Sequence, residues 1–369
     1  MKKIFQITLL AGLALSLHLF AGKNKGRPYF SAKKPQMEEM NSLEPGYQTD
    51  SNTMGHGYSY PGRISVTDEW DFYSYVSLLY WQMIPDGYDF MFYQNTQDHT
   101  SEWVRWPNKW KPALKVGLAM TFHRHDDWQM LGEYLRYYST THVSANKRGG
   151  DSPTMLLGLI GLAGGVSLER GEARLHIGLD AVNLSLSRPY YLGSKLIFDT
   201  FFGIHAAWIH QDMQANNWDI TSFAPLQTVL TPFYLKSRDW SLGPRTGFDM
   251  KYLLGKGVRF FGKGAVSLNY RRQHFRGILY RFLDNLVAPD IINRARSNLR
   301  PELELGAGFA WGTYIDDYNW NFDLSLGYDM YMIFKEQNLF YDMAYRLEDS
   351  FKLMNLYLHG LTVSAKLDF

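Results

Sequence analysis

Residues 355–369 read N-L-Y-L-H-G-L-T-V-S-A-K-L-D-F. Taken two at a time, Leu361, Val363, Ala365, Leu367 and Phe369 form an apolar row, with Tyr357 and His359 before it. Gly360, Thr362, Ser364, Lys366 and Asp368 form the other row. Successive side chains of a strand point to opposite faces, so this segment has one greasy face and one wet face. A half-buried strand of a soluble sandwich and a strand of a membrane barrel both carry that pattern. The choice depends on whether the rest of the chain repeats it.

The repetition is clearest over residues 318–334. There Tyr318, Trp320, Phe322, Leu324, Leu326, Tyr328, Met330, Met332 and Phe334 alternate without a fault against Asn319, Asn321, Asp323, Ser325, Gly327, Asp329 and Tyr331. A soluble sheet needs another layer to cover so long an aromatic face, whereas a bilayer covers it directly, and its aromatic ends match interfacial girdles. Similar rows run through 72–82, 110–122, 128–138, 172–186, 194–211, 241–254, 258–273 and 299–313. Within 172–186 the apolar phase changes at Ala181-Val182, which predicts a β-bulge there.

The intervals alternate in length. Residues 123–127, 188–193, 255–257 and 314–317 are short connections; 83–109, 141–171, 212–240, 274–298 and 336–354 are long. Short periplasmic turns and long outer loops are the rule for outer-membrane barrels. The chain therefore reads as all-β, an antiparallel transmembrane β-barrel of about ten strands. Residues 88–94, 155–168 and 226–235 leave room for twelve or more, while 279–285 and 341–353 read as loop helices.

Composition fits this class. Aromatic residues make up 16% of the chain, with 32 glycines and a mean hydropathy of −0.29. Alternating rows give such an average because apolar and polar positions cancel. Met1-Lys2-Lys3 followed by an apolar run to Phe20 and by Ala21 reads as a secretory leader over residues 1–21. Residues 22–67 are polar and broken by Pro28, Pro35, Pro45 and Pro61, a poorly ordered segment ahead of a barrel over 68–369. With no cysteine, stability must come from pairing and packing rather than disulfides. Without Lys2 and Lys3, 36 basic residues balance 36 acidic ones, which argues against a nucleic-acid partner.

The inward rows carry the functional case. Lys111, Lys115, Arg245, Lys251, Arg259, Lys263 and Arg271 supply positive charge. Asp249 lies among them, and Glu302, Glu304, Asp323 and Asp329 follow on the next two strands. Opposed basic and acidic walls would line a water-filled pore and select small hydrophilic solutes or ions. The competing reading pairs these groups across neighbouring strands as a salt-bridged filling, since barrels near eight strands are filled and open channels come with roughly sixteen. In that case the barrel is structural or adhesive, presenting its outer loops.

Three local motifs weigh less. His123-Arg124-His125-Asp126-Asp127 places ligand-type residues too close together to converge on one ion, and Arg124 opposes a cation, so no metal or cofactor is expected. Tyr270-Arg271-Arg272, at the outer end of its strand, suits either lipopolysaccharide phosphates or a generic basic rim. His142-Val143-Ser144 has the His-x-Ser spacing of outer-membrane phospholipases, with both side chains on one face. The Asn-Gly expected after the serine is absent, so no enzyme is expected.

Several stretches together resemble the Legionella-type major outer membrane protein family, which includes porin-like proteins of Chlamydia-related bacteria. They are Leu79-Tyr80-Trp81 with Asp86-Gly87, and Trp110-Lys111-Pro112-Ala113-Leu114-Lys115-Val116-Gly117-Leu118. Further on come Arg188-Pro189-Tyr190-Tyr191, the run from Phe201-Phe202-Gly203 to Trp208-Ile209, and Leu242-Gly243-Pro244-Arg245-Thr246-Gly247. The resemblance implies a pore-forming barrel in the bacterial cell outer membrane, surrounded by lipid and lipopolysaccharide, with a homo-oligomer as one possibility. The chain departs from it in lacking the cysteines of the chlamydial major porins. It also carries Ser185-Leu186-Ser187 where family members tend to have an acidic residue and glycine. The last strand, ending on Phe369, is similar to the C-terminal signal read by the bacterial barrel-assembly machinery.

Overall fold

The computed structural model describes residues 71–85, 91–94, 101–122, 127–146, 153–156, 165–220, 228–283, 286–315, 319–337 and 354–369. The leader, the 22–67 segment, His123 to Asp126 and the 341–353 stretch lie outside the described residues. Thirteen strands are present among those described. The membrane-sized ones are β1 (Asp71–Pro85), β4 (Trp110–Phe122), β5 (Trp128–Asn146), β7 (Gly165–Leu192), β8 (Leu196–Ile220), β9 (Thr228–Gly255), β10 (Val258–Leu283), β11 (Leu286–Ile315), β12 (Trp320–Gln337) and β13 (Met354–Asp368).

These ten form one antiparallel ring in chain order, closed by β13 pairing with β1. The seam is complete down to its last residues, where Phe72 and Phe369 exchange both backbone hydrogen bonds at 3.0 and 2.8 Å. Three short strands, β2 (Met91–Gln94), β3 (Ser101–Trp103) and β6 (Pro153–Leu156), form a flap joined to the outer end of β7 and add nothing to the ring.

The pairing register determines how wide the barrel is. From Tyr270, partners run through Leu242, Ala206, Val182, Tyr134, Val116, Val76, Ala365, Leu324 and Trp311 and return to β10 at Val258, twelve residues from the start. With a strand spacing of about 4.8 Å and a rise of about 3.4 Å per residue, that stagger gives a tilt of about 40° and a backbone radius of roughly 10 Å. Side chains from opposite walls of such a cylinder meet at its axis.

The apolar rows face outward. Leu78, Leu118, Phe202, Ile204, Val266, Leu305, Phe309, Leu326 and Leu361 are all exposed on the outside of the ring. Aromatic residues bound this band on both sides. Phe72, Trp128, Phe198, Phe248, Phe260, Trp320 and Phe369 lie toward the short turns, with Phe198 and Phe248 stacked at 5.5 Å. Tyr80, Trp110, Trp208, Trp240 and Tyr270 lie toward the other rim. Girdles of this kind sit at membrane interfaces. The short turns are built for reversal: Gly255-Lys256-Gly257, between β9 and β10, has positive φ at all three residues, a conformation that glycine adopts freely.

Beyond the outer girdle the strands continue, and their polarity inverts. On β8, His210, Asp212 and Gln214 point out, while Ile209, Met213 and Ala215 are fully buried inside. On β9 and β10, Lys236, Arg238, Arg272 and Arg276 point out, while Phe233, Leu235 and Phe275 point in. A strand that has left the lipid faces water on its outer side, so its apolar residues pack inward.

This inversion accounts for most differences from the sequence reading. The stretches 212–240 and 274–298 are largely strand rather than loop. The stretch 226–235 lengthens β9 from Thr228 instead of adding a strand, and Leu279 to Leu283 continue β10 instead of forming a helix. No bulge occurs at Ala181-Val182, because β7 pairs without interruption there with both β5 and β8. The phase change marks where β7 crosses from lipid to water.

Candidate functional site: the barrel lumen

The inward rows of the strands bring the charged positions of the sequence reading into the lumen, and most of these groups meet as ion pairs. At the short-turn end lies a cavity of about 270 Å³, whose lining includes Lys115, Glu133, Asp199, Arg245, Asp249, Lys251, Arg259, Lys263, Glu304 and Lys366. Arg259 pairs with Asp323 across β10, β11 and β12, and Lys366 pairs with Asp368 at 2.7 Å. Asp249 and Lys251 lie on the inward row of β9, half-buried.

Above this vestibule the pairs close ranks. Lys115 lies 2.9 Å from Glu133, which also accepts hydrogen bonds from Tyr75 and, at 3.1 Å, from the Asn183 amide. Arg245 donates both forks to Glu304 at 2.9 and 3.0 Å and lies over the Phe201 ring. This bidentate geometry is the strong form of a guanidinium–carboxylate contact. Lys263 donates to Asp329 at 2.9 Å, and Thr362 donates to the same carboxylate at 2.8 Å. The open space at this level shrinks to a void of about 30 Å³ lined by Leu79, Trp81, Leu135, His205 and Tyr331 among others.

Level with the outer girdle the side chains pack closely across the lumen. Arg271 and Arg300, both completely buried, share the Glu336 carboxylate at 3.1 and 2.6 Å. Arg271 also donates to Asp239 at 2.8 Å, and Arg300 donates to Glu302 at 3.0 Å and to Ser241 at 2.7 Å. Glu302 further accepts from Tyr331 and lies 3.0 Å from His205, whose other ring nitrogen is 2.6 Å from Asn183. Against this network pack Trp81, Met83, Tyr137, Leu175, Ile177, Leu179, Ile333, Leu356 and Leu358, nearly all without exposure.

The twelve sequence-derived lumenal positions therefore fall into three places. Asp249, Lys251, Arg259 and Asp323 belong to the vestibule, and Lys115, Arg245, Glu304, Lys263 and Asp329 to the layer above it. Arg271 and Glu302 belong to the packed network, while Lys111 stays half-buried on the inward row of β4. Lys115, Arg245, Arg259, Lys263 and Arg271 each meet a carboxylate as an ion pair rather than facing one across an open lumen. Sequence reasoning missed Glu133, Asp239, Arg300, His205 and Glu336. Simple alternation would have found the first four. Glu336 is different: it turns inward through a bulge, where residues 334–336 stand opposite the single residue Asn355 and Lys335 takes a φ of 54°.

Two of the weaker motifs can be placed as well. Arg271 points into the lumen, so of the Tyr270-Arg271-Arg272 run only Tyr270 and Arg272 reach the outer surface. His142 and Ser144 are exposed on the outside of β5, opposite Arg174 and Glu172. Among the described residues no cluster of metal-ligand side chains occurs.

A family model described as Legionella pneumophila major outer membrane protein precursor matches residues 65–369. No curated protein sequence matches the chain. Among solved structures, the outer membrane protease OmpT from Escherichia coli is 10% identical, with 84% of this chain and 99% of that chain covered and a TM-score of 0.40. Ail, the attachment invasion locus protein of Yersinia pestis, is 8% identical over 82% of this chain and 100% of its own, with a TM-score of 0.24. The CymD monoaromatic hydrocarbon channel is 10% identical over 85% and 94%, with a TM-score of 0.27.

Proposed function

The chain belongs to the Legionella major outer membrane protein family, and from that premise we propose that it works as a filled surface barrel, anchoring an extended outer sheet above the membrane rather than conducting solutes in the state described. Its place is the bacterial outer membrane, within the lipid of that membrane. The observation that carries the reading is the packed layer at the outer girdle. There the Arg271–Glu336–Arg300 network and the apolar cluster around Ile177 and Leu358 fill the cross-section. The void beneath it, about 30 Å³ against about 270 Å³ in the vestibule, is too small for a hydrated solute.

Passive diffusion of small hydrophilic solutes or ions is the second reading, and the charged vestibule of about 270 Å³ favours it. For that function the outer layer must move aside. Liposome swelling separates the two. Proteoliposomes holding folded barrel and placed in isotonic arabinose or glucose keep their turbidity on the filled reading. Rapid swelling that depends on sugar size supports diffusion.

A further inference from the structure

Above the outer girdle, the outside of the barrel is uneven in charge. On β9 and β10 the outward positions are Lys236, Arg238, Arg272, His274 and Arg276, all exposed. The register sets Lys236 directly opposite Arg276 and Arg238 directly opposite His274. Like charges facing each other across a strand pair, as Lys236 and Arg276 do, destabilise a sheet. Among the described residues one carboxylate on this face offsets them, Asp212 of β8, at 3.4 Å from Lys236. On the β11 side the cross-strand neighbours of Arg272, His274 and Arg276 are Ser297, Ala295 and Asn293, none of them acidic.

The β5–β7 wall is arranged differently. Its outward Asp180 accepts from Tyr134 and Tyr138 at 2.7 and 2.8 Å with Arg136 beside it, and Arg170 pairs with Glu172. There positive charge is compensated internally. Among the described residues the β9–β10 block has no such arrangement, and its height identifies what it faces. Arg272 stands opposite Trp240, whose ring lies 5.9 Å from Tyr270, and Arg238 follows one position further out, about 7 Å along the strand. Tryptophan and tyrosine mark the membrane interface, so these cations lie at the level of the outer-leaflet headgroups.

We propose that this face, Lys236, Arg238, Arg272, His274 and Arg276, binds the phosphate groups of an outer-leaflet glycolipid whose acyl chains lie along Trp240, Leu242, Tyr270 and Leu268. The guanidinium forks of Arg238, Arg272 and Arg276 suit phosphate oxygens, the apolar band below suits acyl chains, and a bound dianion removes the cross-strand repulsion. This surface is independent of whether the lumen conducts.

The test uses the full folded chain in detergent with labelled lipopolysaccharide, the same lipopolysaccharide stripped of phosphate, and inorganic phosphate as competitor. An Arg238→Gln/Arg272→Gln/Arg276→Gln variant is compared with an Arg170→Gln/Arg174→Gln control on the other wall, both checked for heat-modifiable migration. The expected result is a loss on the order of tenfold or more in the triple variant only, matched by the wild type with dephosphorylated ligand. Equal binding by both variants overturns the proposal, as does undiminished binding of dephosphorylated ligand. Full displacement by low millimolar inorganic phosphate overturns it too, by showing an anion site indifferent to the lipid. If the triple variant does not fold, the single Arg272→Gln variant, whose side chain touches no lumenal group, supplies the same comparison.

Discussion

Arg300 on β11 and Glu336 on β12 lie 2.6 Å apart, both without exposure, and the contact exists because β12 bulges at Lys335 to turn the carboxylate inward. Glu336 is also the carboxylate that Arg271 uses from β10, so a single side chain joins three neighbouring strands.

Removing it leaves Arg271 to Asp239 and Arg300 to Glu302 and cuts the carboxylate that links the two guanidiniums. Glu336→Leu is expected to destabilise the folded barrel by about 1.5–3 kcal/mol, the range for losing hydrogen bonds to charged groups while Asp239 and Glu302 still offset the arginines. The triple change Glu336→Leu/Arg300→Leu/Arg271→Leu is expected to cost more than the single one, because it leaves the buried Asp239 and Glu302 carboxylates without their arginines. Denaturant unfolding in detergent, followed by tryptophan emission, measures both. A wild-type midpoint for Glu336→Leu contradicts the network's role.

Gly117 of β4 lies beneath the ring of Tyr75, where an added Cβ would come within 2.2 Å of the ring. The close approach lets the Tyr75 hydroxyl reach Glu133. Gly117→Val should therefore displace Tyr75 and cost about 1–3 kcal/mol as an overpacked interior. Gly132→Ala on β5, where a Cβ meets nothing closer than 3.9 Å, serves as the tolerant comparison. Equal stability of the two variants would count against this packing.

Phe369 stacks between Phe72 and Trp320, at ring distances of 6.4 and 5.7 Å, and closes the seam through its backbone. If it also acts as the signal read during assembly, deleting it reduces folded barrel in the outer membrane of cells while purified chain still refolds in detergent. Quantifying heat-modifiable protein in membrane fractions and in refolding mixtures separates the two roles. Undiminished assembly in cells removes the signal role.

The chain has no cysteine, so introduced thiols report accessibility on a clean background. Asp249→Cys, in the vestibule, should react with a charged maleimide added from the short-turn side. Ile177→Cys and Leu358→Cys, in the packed layer, should stay unlabelled from either side until the barrel is denatured. Rapid labelling of Ile177→Cys in folded protein would mean that water crosses the layer.

The lipid-facing rows were legible in the sequence because lipid imposes apolar residues on every outward position, as the row from Trp320 to Phe334 illustrates. The same rule concealed the outer extensions. Once β8, β9 and β10 leave the membrane, polar residues such as His210, Lys236 and Arg272 take the outward positions, and a search for apolar-outside rows reads the strand as loop. The lumenal charges on β9 to β12 were legible from alternation, but their pairing was not, since it depends on the stagger of the ring. Glu336 was beyond reach, because its inward turn requires a bulge that no alternation predicts.

The central claim is that the lumen is closed at its outer end, and planar-bilayer recording tests it most directly. Folded wild-type barrel inserted at neutral pH in molar potassium chloride is expected to give no steady open-channel steps, while Glu336→Leu, with its outer layer loosened, shows intermittent ones. Steady conductance in the wild type that turns more cation-selective when Arg245, Arg259 and Lys263 are replaced by glutamine would contradict the closed lumen and establish diffusion through it.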